Sequence, residues 1–346
     1  MFKKRVIAYY LPQFHQIPEN DKWWGAGYTE WIALKRWKPF FKGHKIRMPG
    51  KFGFYDLSDS HIIHEEYKLA KSYGVEGFCF WTYWFGDGDR LLEKPMDGLL
   101  KFPNDVKYCI AWANHSWFDK SRWLLLKEQR YLGRADYIKF FETMLPHFKS
   151  GNYILKDNKL VLSIFVPHQI PDFDVFHATW TELAKQNGFD GIYVISDQYD
   201  PTFKHYNLID ASTFSIEMNR NRNVFQKVRE RLVRQHNWTF LGLLIYDYPK
   251  MMKGLFSEYK NVENFFPTIF TGWDTTPRHG VRGVIFKNFN AQTFAKHVKD
   301  IFALNFKSEF IFVKSWNEWA EGNVLEPDDQ NGEKLLEAIR DENVLT

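Results

Sequence analysis

Short apolar runs recur along this 346-residue chain, each about one strand long, and most are separated by a stretch of helical periodicity. Eight of them read as strands: residues 5–11 (RVIAYYL), 75–81 (VEGFCFW), 107–113 (KYCIAWA), 159–166 (KLVLSIFV), 191–196 (GIYVIS), 211–216, 239–246 and 309–316 (EFIFVKSW). They are β-branched and aromatic with little polar alternation, the pattern of strands covered on both faces. Helical stretches are expected at 60–73, with Ser58 and Asp59 as capping candidates, and at 135–148, 173–186 and 291–304. Strand–helix alternation over this length predicts an α/β fold, a TIM-type (β/α)8 barrel with long βα loops, as one catalytic domain over residues 1–346. The longest loop, 12–59, follows the first strand. A ninth apolar run, 268–273, is assigned to the loop after the seventh strand.

Composition narrows the class. With 45% hydrophobic and 25% charged residues the chain is neither disordered nor collagen-like. No apolar run reaches the roughly 20 residues of a membrane span. Forty-six Lys and Arg against 42 Asp and Glu leave +4, too slight a bias to imply nucleic acid. Cys79 and Cys109 lie in apolar runs and read as small buried hydrophobes. The basic, then apolar start is cut short by Pro12 and Gln13, with no cleavage site after it, so a cytoplasmic location is expected. Aromatic residues are abundant: 33 Phe, 17 Tyr and 14 Trp, or 18% of the chain. Trp and Tyr pair a flat apolar face with a polar edge, which suits ligands such as sugar rings or bases, and the near-neutral charge favours sugars.

In a barrel of this kind the chemistry sits at the C-terminal ends of the strands. Nearly every predicted strand ends in mixed aromatic and polar residues. Tyr10 and His15 follow the first; Trp84 the second; Trp112, Asn114 and His115 the third; Asp197 the fifth; Glu217 the sixth; Tyr246 the seventh; Asn317 and Trp319 the eighth. Trp31, Trp84, Trp112 and Trp273 are the expected stacking platforms, with Asn114 and Asp274 reaching sugar hydroxyls. For His15 and His115 a ligand contact and a structural role stand side by side. In GWDTTPR (272–278), Trp273 and Asp274 could hold hydroxyls and Arg278 an anionic group, or Asp274 and Arg278 could pair to hold the loop.

The sharpest local feature is WNEWAEG, residues 316–322. Two carboxylates three residues apart, framed by tryptophans and closed by Gly322, cannot both enter an apolar core without cost. Glu318 and Glu321 can instead converge on one ligand. Paired carboxylates, one protonated and one ionised, are what glycosidic bond cleavage needs; the competing reading is a surface loop with two solvated glutamates. The acidic turn Gly86–Asp89 is better explained as a Gly-flanked turn than as a metal site, and the histidines are too scattered for zinc. No metal or other cofactor is expected, and no phosphate loop or nucleophile elbow is present in the sequence.

Together RVIAYYLPQFHQIPENDKWWGAGYTEW, GVEGFCFWTYWF, WANHSW, GWDTTPR and WNEWAEGNVLEPD resemble the WbsX-type proteins of bacterial surface-polysaccharide clusters, over residues 6–339. These are similar in turn to glycoside hydrolase family 99, the endo-α-mannosidases, through the opening YY-P strand, the Gly-rich second strand and the NEW-x-EG signature. The resemblance implies a (β/α)8 barrel acting on an oligosaccharide or polysaccharide with retention. It implies Glu318 as the base that deprotonates the sugar's own 2-hydroxyl to give a 1,2-anhydro sugar, and Glu321 as general acid/base with a raised pKa. Ala320 stands where the hydrolases often have His, removing a substrate contact. A glycosyltransferase of lipopolysaccharide, O-antigen or capsule biosynthesis and a non-catalytic glycan-binding barrel are the alternatives. The oligomeric state is not legible.

Overall fold

The computed structural model describes residues 3–119, 124–214, 222–236 and 238–344. Its centre is a parallel sheet of eight strands: β1 (Arg5–Tyr10), β2 (Val75–Trp84), β3 (Tyr108–Trp112), β4 (Lys159–Ile164), β5 (Ile192–Ser196), β6 (Ala211–Ser212), β7 (Thr268–Phe270) and β8 (Phe310–Lys314). Each pairs with its neighbour in the order β6-β5-β4-β3-β2-β1-β8-β7. The edges then meet. The Ser212 amide donates to the Asn264 carbonyl and the Phe266 amide to the Ser212 carbonyl, both at 2.8 Å, while the Thr213 and Thr268 hydroxyls bond at 2.8 Å. The sheet is thus a (β/α)8 barrel, as the strand–helix alternation predicts.

Side-chain parity sets what faces inward. On β2 and β3 the interior parity carries Cys79 and Cys109, which sit opposite each other, both buried and unbridged. The other parity carries the larger Phe78, Phe80 and Tyr108, which pack outward against the helix layer. Gly77 is required where β2 meets β3, because a Cβ there would stand 2.4 Å from the Lys107 carbonyl oxygen. The predicted helices form as His61–Ser72, Arg134–Phe148, Phe173–Gln186 and Ala291–Ala303. A further helix, Lys334–Asn343, packs on the last of these. Its Asn343 side chain bonds both the amide and the carbonyl of Lys4, tying the end of the fold to its start.

Two assignments change. The run at 268–273, expected in a loop, supplies the seventh barrel strand. The expected seventh strand, at 239–246, lies outside the barrel: Thr239–Leu241 is a 3-10 turn, and Leu244–Asp247 pairs with Val284–Lys287 in a separate parallel ribbon. Burial explains the exchange. Thr268–Phe270 is buried at every residue, whereas Leu244–Asp247 alternates and leaves Ile245 exposed, as a ribbon with one covered face must. The sixth strand is confirmed at Ala211–Ser212; Glu217, expected at its end, lies outside the described residues. The loop after β1 carries two short helices, Pro18–Trp24 and Glu30–Arg36, and folds over the barrel mouth.

Candidate active site

The segment leaving β8 is held rigidly. Asn317–Glu318 pairs antiparallel with Asn323–Val324 around the turn Trp319–Glu321. Gly322 closes the turn at φ +66°, and a Cβ there would stand 2.6 Å from the Asp274 amide, so only glycine fits without movement. The Ser315 hydroxyl donates to the Asn323 carbonyl at 2.8 Å and accepts from the Glu318 amide at 3.3 Å. Asn317 clips the hairpin to the end of β1, accepting from the Leu11 amide at 2.7 Å and donating to the Leu11 carbonyl at 3.1 Å.

This frame places Glu318 and Glu321 together at the barrel mouth with two cations. Glu318 is buried. One of its oxygens accepts from the Lys314 ammonium at 2.5 Å and from the Trp81 indole at 3.1 Å. The Trp81 ring stacks on Tyr9, with centroids 4.8 Å apart. Glu321 is less covered and pairs with Arg278, whose guanidinium also lies 3.0 Å from Glu30. Burial lifts the Glu318 carboxyl above its ordinary value, and the Glu321 charge adds to the lift while Lys314 and Arg278 oppose it. Burial also pushes Glu321 upward, but the Arg278 and Lys314 charges prevail and hold it below the usual carboxylate range. The resemblance leads to the opposite expectation, a raised Glu321. The difference arises because Arg278 sits directly on Glu321.

Of the residues expected to bind substrate, Arg278 touches this pair through its side chain. Asp274 is adjacent: its amide donates to the Glu321 carbonyl at 2.8 Å, and its carboxylate is taken by His44 and Thr276. Trp273 lines a neighbouring cavity of about 310 Å³ shared with His44, Arg47, Phe286, Phe289 and Trp319. The Trp319 indole itself turns inward, donating to Glu326 at 3.0 Å. His115 is half-buried against Phe165, which in turn packs on Trp81.

The other expected contacts are structural. Trp84 and Trp112 lie beneath the helices: Trp84 stacks on Phe140 and donates to Asp136, and Trp112 packs on Phe140 and Phe176. Both belong to the outward parity of their strands. Trp31 is buried within the loop layer, donating to the Tyr55 carbonyl at 2.6 Å. Tyr10 points outward to Glu66 at 2.6 Å. Asn114 staples two loops through both backbone groups of Val166 at 2.8 Å, and Asn317 is the clip described above. His15 bonds the Pro12 carbonyl at 2.9 Å, and burial lowers its pKa, which leaves it neutral. Tyr246 sits in the outer ribbon under Arg222. In the acidic turn, Asp87 pairs with Lys139 and Asp89 with Lys127.

Lys314 and Glu30 are not singled out by the sequence, and Tyr9 and Trp81, which stand at strand ends, are not among the expected substrate contacts. Lys314 carried a usable signal, since a lysine inside a buried strand needs a counter-ion, and Glu318 lies four residues on.

A parallel eight-stranded barrel with a buried carboxylate pair and matched cations at its mouth is the class this chain defines. The chain belongs to the family described as glycosyltransferase WbsX, whose model matches residues 6–339. It is 32% identical to an uncharacterized protein WxcX from each of two strains of Xanthomonas campestris pv. campestris, B100 and ATCC 33913, over 97% of its length. It spans about half the length of these curated relatives, 49%. Among solved structures it is similar to a GH99 endo-alpha-mannosidase from Bacteroides thetaiotaomicron, with a TM-score of 0.59 and 14% identity over 98% of this chain and 95% of that one. A glycoside hydrolase-like protein matches at TM-score 0.63 and 16% identity, over 99% of this chain and 95% of that one. The fold is therefore shared with these proteins.

Proposed function

We propose that this chain is a carbohydrate-active enzyme of surface-polysaccharide metabolism, a retaining endo-acting α-glycosidase of α-mannosidase type. The observation that carries the reading is the Glu318–Glu321 pair, held at the barrel mouth by the hairpin and balanced by Lys314 and Arg278. In the reaction proposed, Glu318 takes the proton of the sugar 2-hydroxyl, whose oxygen attacks the anomeric carbon. The bond to the leaving oxygen breaks as Glu321 protonates it, giving a 1,2-anhydro sugar. Water, giving a proton to Glu321, then attacks the anomeric carbon and opens the anhydro ring, while Glu318 returns its proton to the 2-oxygen. Lys314 supports this division by favouring an ionised Glu318. Arg278 favours an ionised Glu321, so Glu321 serves as the acid once the guanidinium has shifted onto Glu30 or the substrate.

The raised pKa of Glu318 supports a second assignment, with Glu318 as proton donor and Glu321 as base. Substrates with activated leaving groups separate the two. Glu318→Gln should abolish turnover of them, while Glu321→Gln should keep the first step on them but not on natural glycans. The opposite pattern reverses the roles, and full activity in both variants removes the loop from the chemistry. The family description supports a transferase. Incubation with α-mannan fragments, with and without GDP- or UDP-sugars, decides this: turnover only with a nucleotide sugar overturns the hydrolase reading. Binding without turnover in either arm leaves a glycan-binding barrel.

A further inference from the structure

Between Trp31 and Tyr55 the chain has no Asp or Glu in 25 residues, yet carries seven Lys and Arg, more than the net charge of the whole protein. Arg47 is buried and fully engaged with Asp328 and three backbone carbonyls. The others are not. Arg36, Lys38, Lys42 and Lys45 are exposed, and among the described residues none of them forms an ion pair. Between them stand Phe40 and Phe41, exposed at 38% and 42%, and beside them Phe54 at 44%, capped by the Lys35 ammonium 4.4 Å from its ring centroid.

The segment is anchored from beneath. Trp37 donates to the Thr276 hydroxyl at 2.8 Å, and His44 meets Asp274 at 2.8 Å. Phe41 stacks on the His44 ring with centroids 4.6 Å apart. Polar anchors thus point into the protein while phenyl rings and ammonium groups point out, the reverse of what solubility alone selects. An open groove of about 820 Å³ runs along this face with Lys35, Lys42 and Lys45 on its wall against one carboxylate, Asp329, which is occupied by the Met48 amide.

A second apolar projection is linked to this segment through the outer ribbon. Asp274, the partner of His44, bridges to Ile285, which pairs with Ile245 of the outer ribbon. The segment leading into that ribbon exposes Val224, Phe225 and Phe240 at 77–78%, beside the exposed Lys227.

We propose that this rim is a docking surface for an anionic phospholipid bilayer. Cations alone would suit any polyanion, but a soluble polyanion has no apolar interior to receive three exposed phenyl rings. A bilayer surface offers both phosphate charge and hydrocarbon, and peripheral attachment needs both signals together. No helix among the described residues is long and apolar enough to cross a membrane; the attachment proposed is of the peripheral kind. It would turn the mouth holding Glu318 and Glu321 toward the membrane.

The test is co-sedimentation with vesicles of phosphatidylcholine, alone and with about one-third phosphatidylglycerol. It needs no enzymatic activity, so its outcome is independent of the glycosidase reading. The wild-type protein is expected on the mixed vesicles only, and to come off as salt rises from about 0.1 to about 0.5 M. Lys38→Glu/Lys42→Glu/Lys45→Glu should weaken partitioning by at least about a hundredfold, at about fivefold for each cation lost. Phe40→Ser/Phe41→Ser should also release the protein; circular dichroism and melting temperature check that both variants keep the fold. Absence of wild-type binding, or binding unchanged in both variants, overturns the proposal. Binding to dextran sulfate as tight as to vesicles and indifferent to the Phe variant would assign the rim to a soluble polyanion and likewise overturn it.

Discussion

Changing Glu66 to Gln removes a titrating proton from one of the driest places in the molecule. Glu66 and Glu326 are both fully buried behind the WNEWAEG hairpin. One Glu66 oxygen accepts from the Tyr10 hydroxyl at 2.6 Å, and one Glu326 oxygen accepts from the Tyr55 hydroxyl and the Trp319 indole, each at 3.0 Å. The second oxygen of each carboxyl is buried without a hydrogen-bond partner. Two such groups cannot both hold a charge, and they titrate as a unit. Burial raises Glu66 to about 8, and burial with the Glu66 charge raises Glu326 well above the ordinary value.

The sign follows from where the proton binds more tightly. Between the unfolded value of 4.5 and the folded value of about 8, the native state keeps a proton that the unfolded chain has lost. Stability is therefore complete below the unfolded pKa and is lost as pH rises through the folded one, by about 1.4 kcal/mol per pH unit for each proton so held. In Glu66→Gln the amide oxygen still accepts from Tyr10, its nitrogen is a donor in place of the acid proton, and nothing at that position titrates. Urea unfolding followed by tryptophan fluorescence at pH 5, 7 and 9 should show a near-neutral effect at the lowest pH. At the highest, the variant should be the more stable protein by several kcal/mol. Wild-type stability flat across this range, or a pH dependence in the variant parallel to that of the wild type, would refute the reasoning.

Three further outcomes follow from the site. Gly322→Ala should cost about 2 kcal/mol of stability and lower kcat, because the Cβ meets the Asp274 amide at 2.6 Å and a positive φ must be held; chemical denaturation and steady-state kinetics read the two effects. Arg278→Gln removes the cation that holds Glu321 low, so the limb of the pH–rate profile belonging to Glu321 should move to higher pH; an unmoved limb would show that Glu321 does not titrate in it. Asn114→Ala should lose about 2 kcal/mol by orphaning both Val166 backbone groups. Its KM should stay unchanged, and a raised KM would return Asn114 to the substrate site.

Strand–helix alternation made the barrel legible, and the cost of burying two adjacent carboxylates picked out Glu318 and Glu321. Tyr10, Trp84 and Trp112 do not form the expected aromatic groove, because proximity to a strand end does not tell which face a side chain takes; the two-residue parity of the strand does. Tyr10, Trp84 and Trp112 share the outward parity with Phe78, Phe80 and Tyr108, and all of them fill the layer between sheet and helices. Tyr9, Trp81 and Lys314 have the inward parity and meet around Glu318. Small residues mark that inward parity, because the closed interior has less room than the helix interface: Cys79 and Cys109 face each other there. Counting in twos from Cys79 reaches Trp81 on β2 and passes over Trp84, and from Cys109 it passes over Trp112 on β3. What parity cannot reach is Arg278 and Glu30: they come from two different loops, and Glu30 meets Arg278, the partner of Glu321, because the loop after β1 folds back across the mouth. The charge state of Glu321 is thus set jointly by Arg278 from a loop and Lys314 from a barrel strand, while the hairpin after β8 fixes its position. Within this fold, changes in those loops can retune the chemistry without disturbing the frame that holds Glu318.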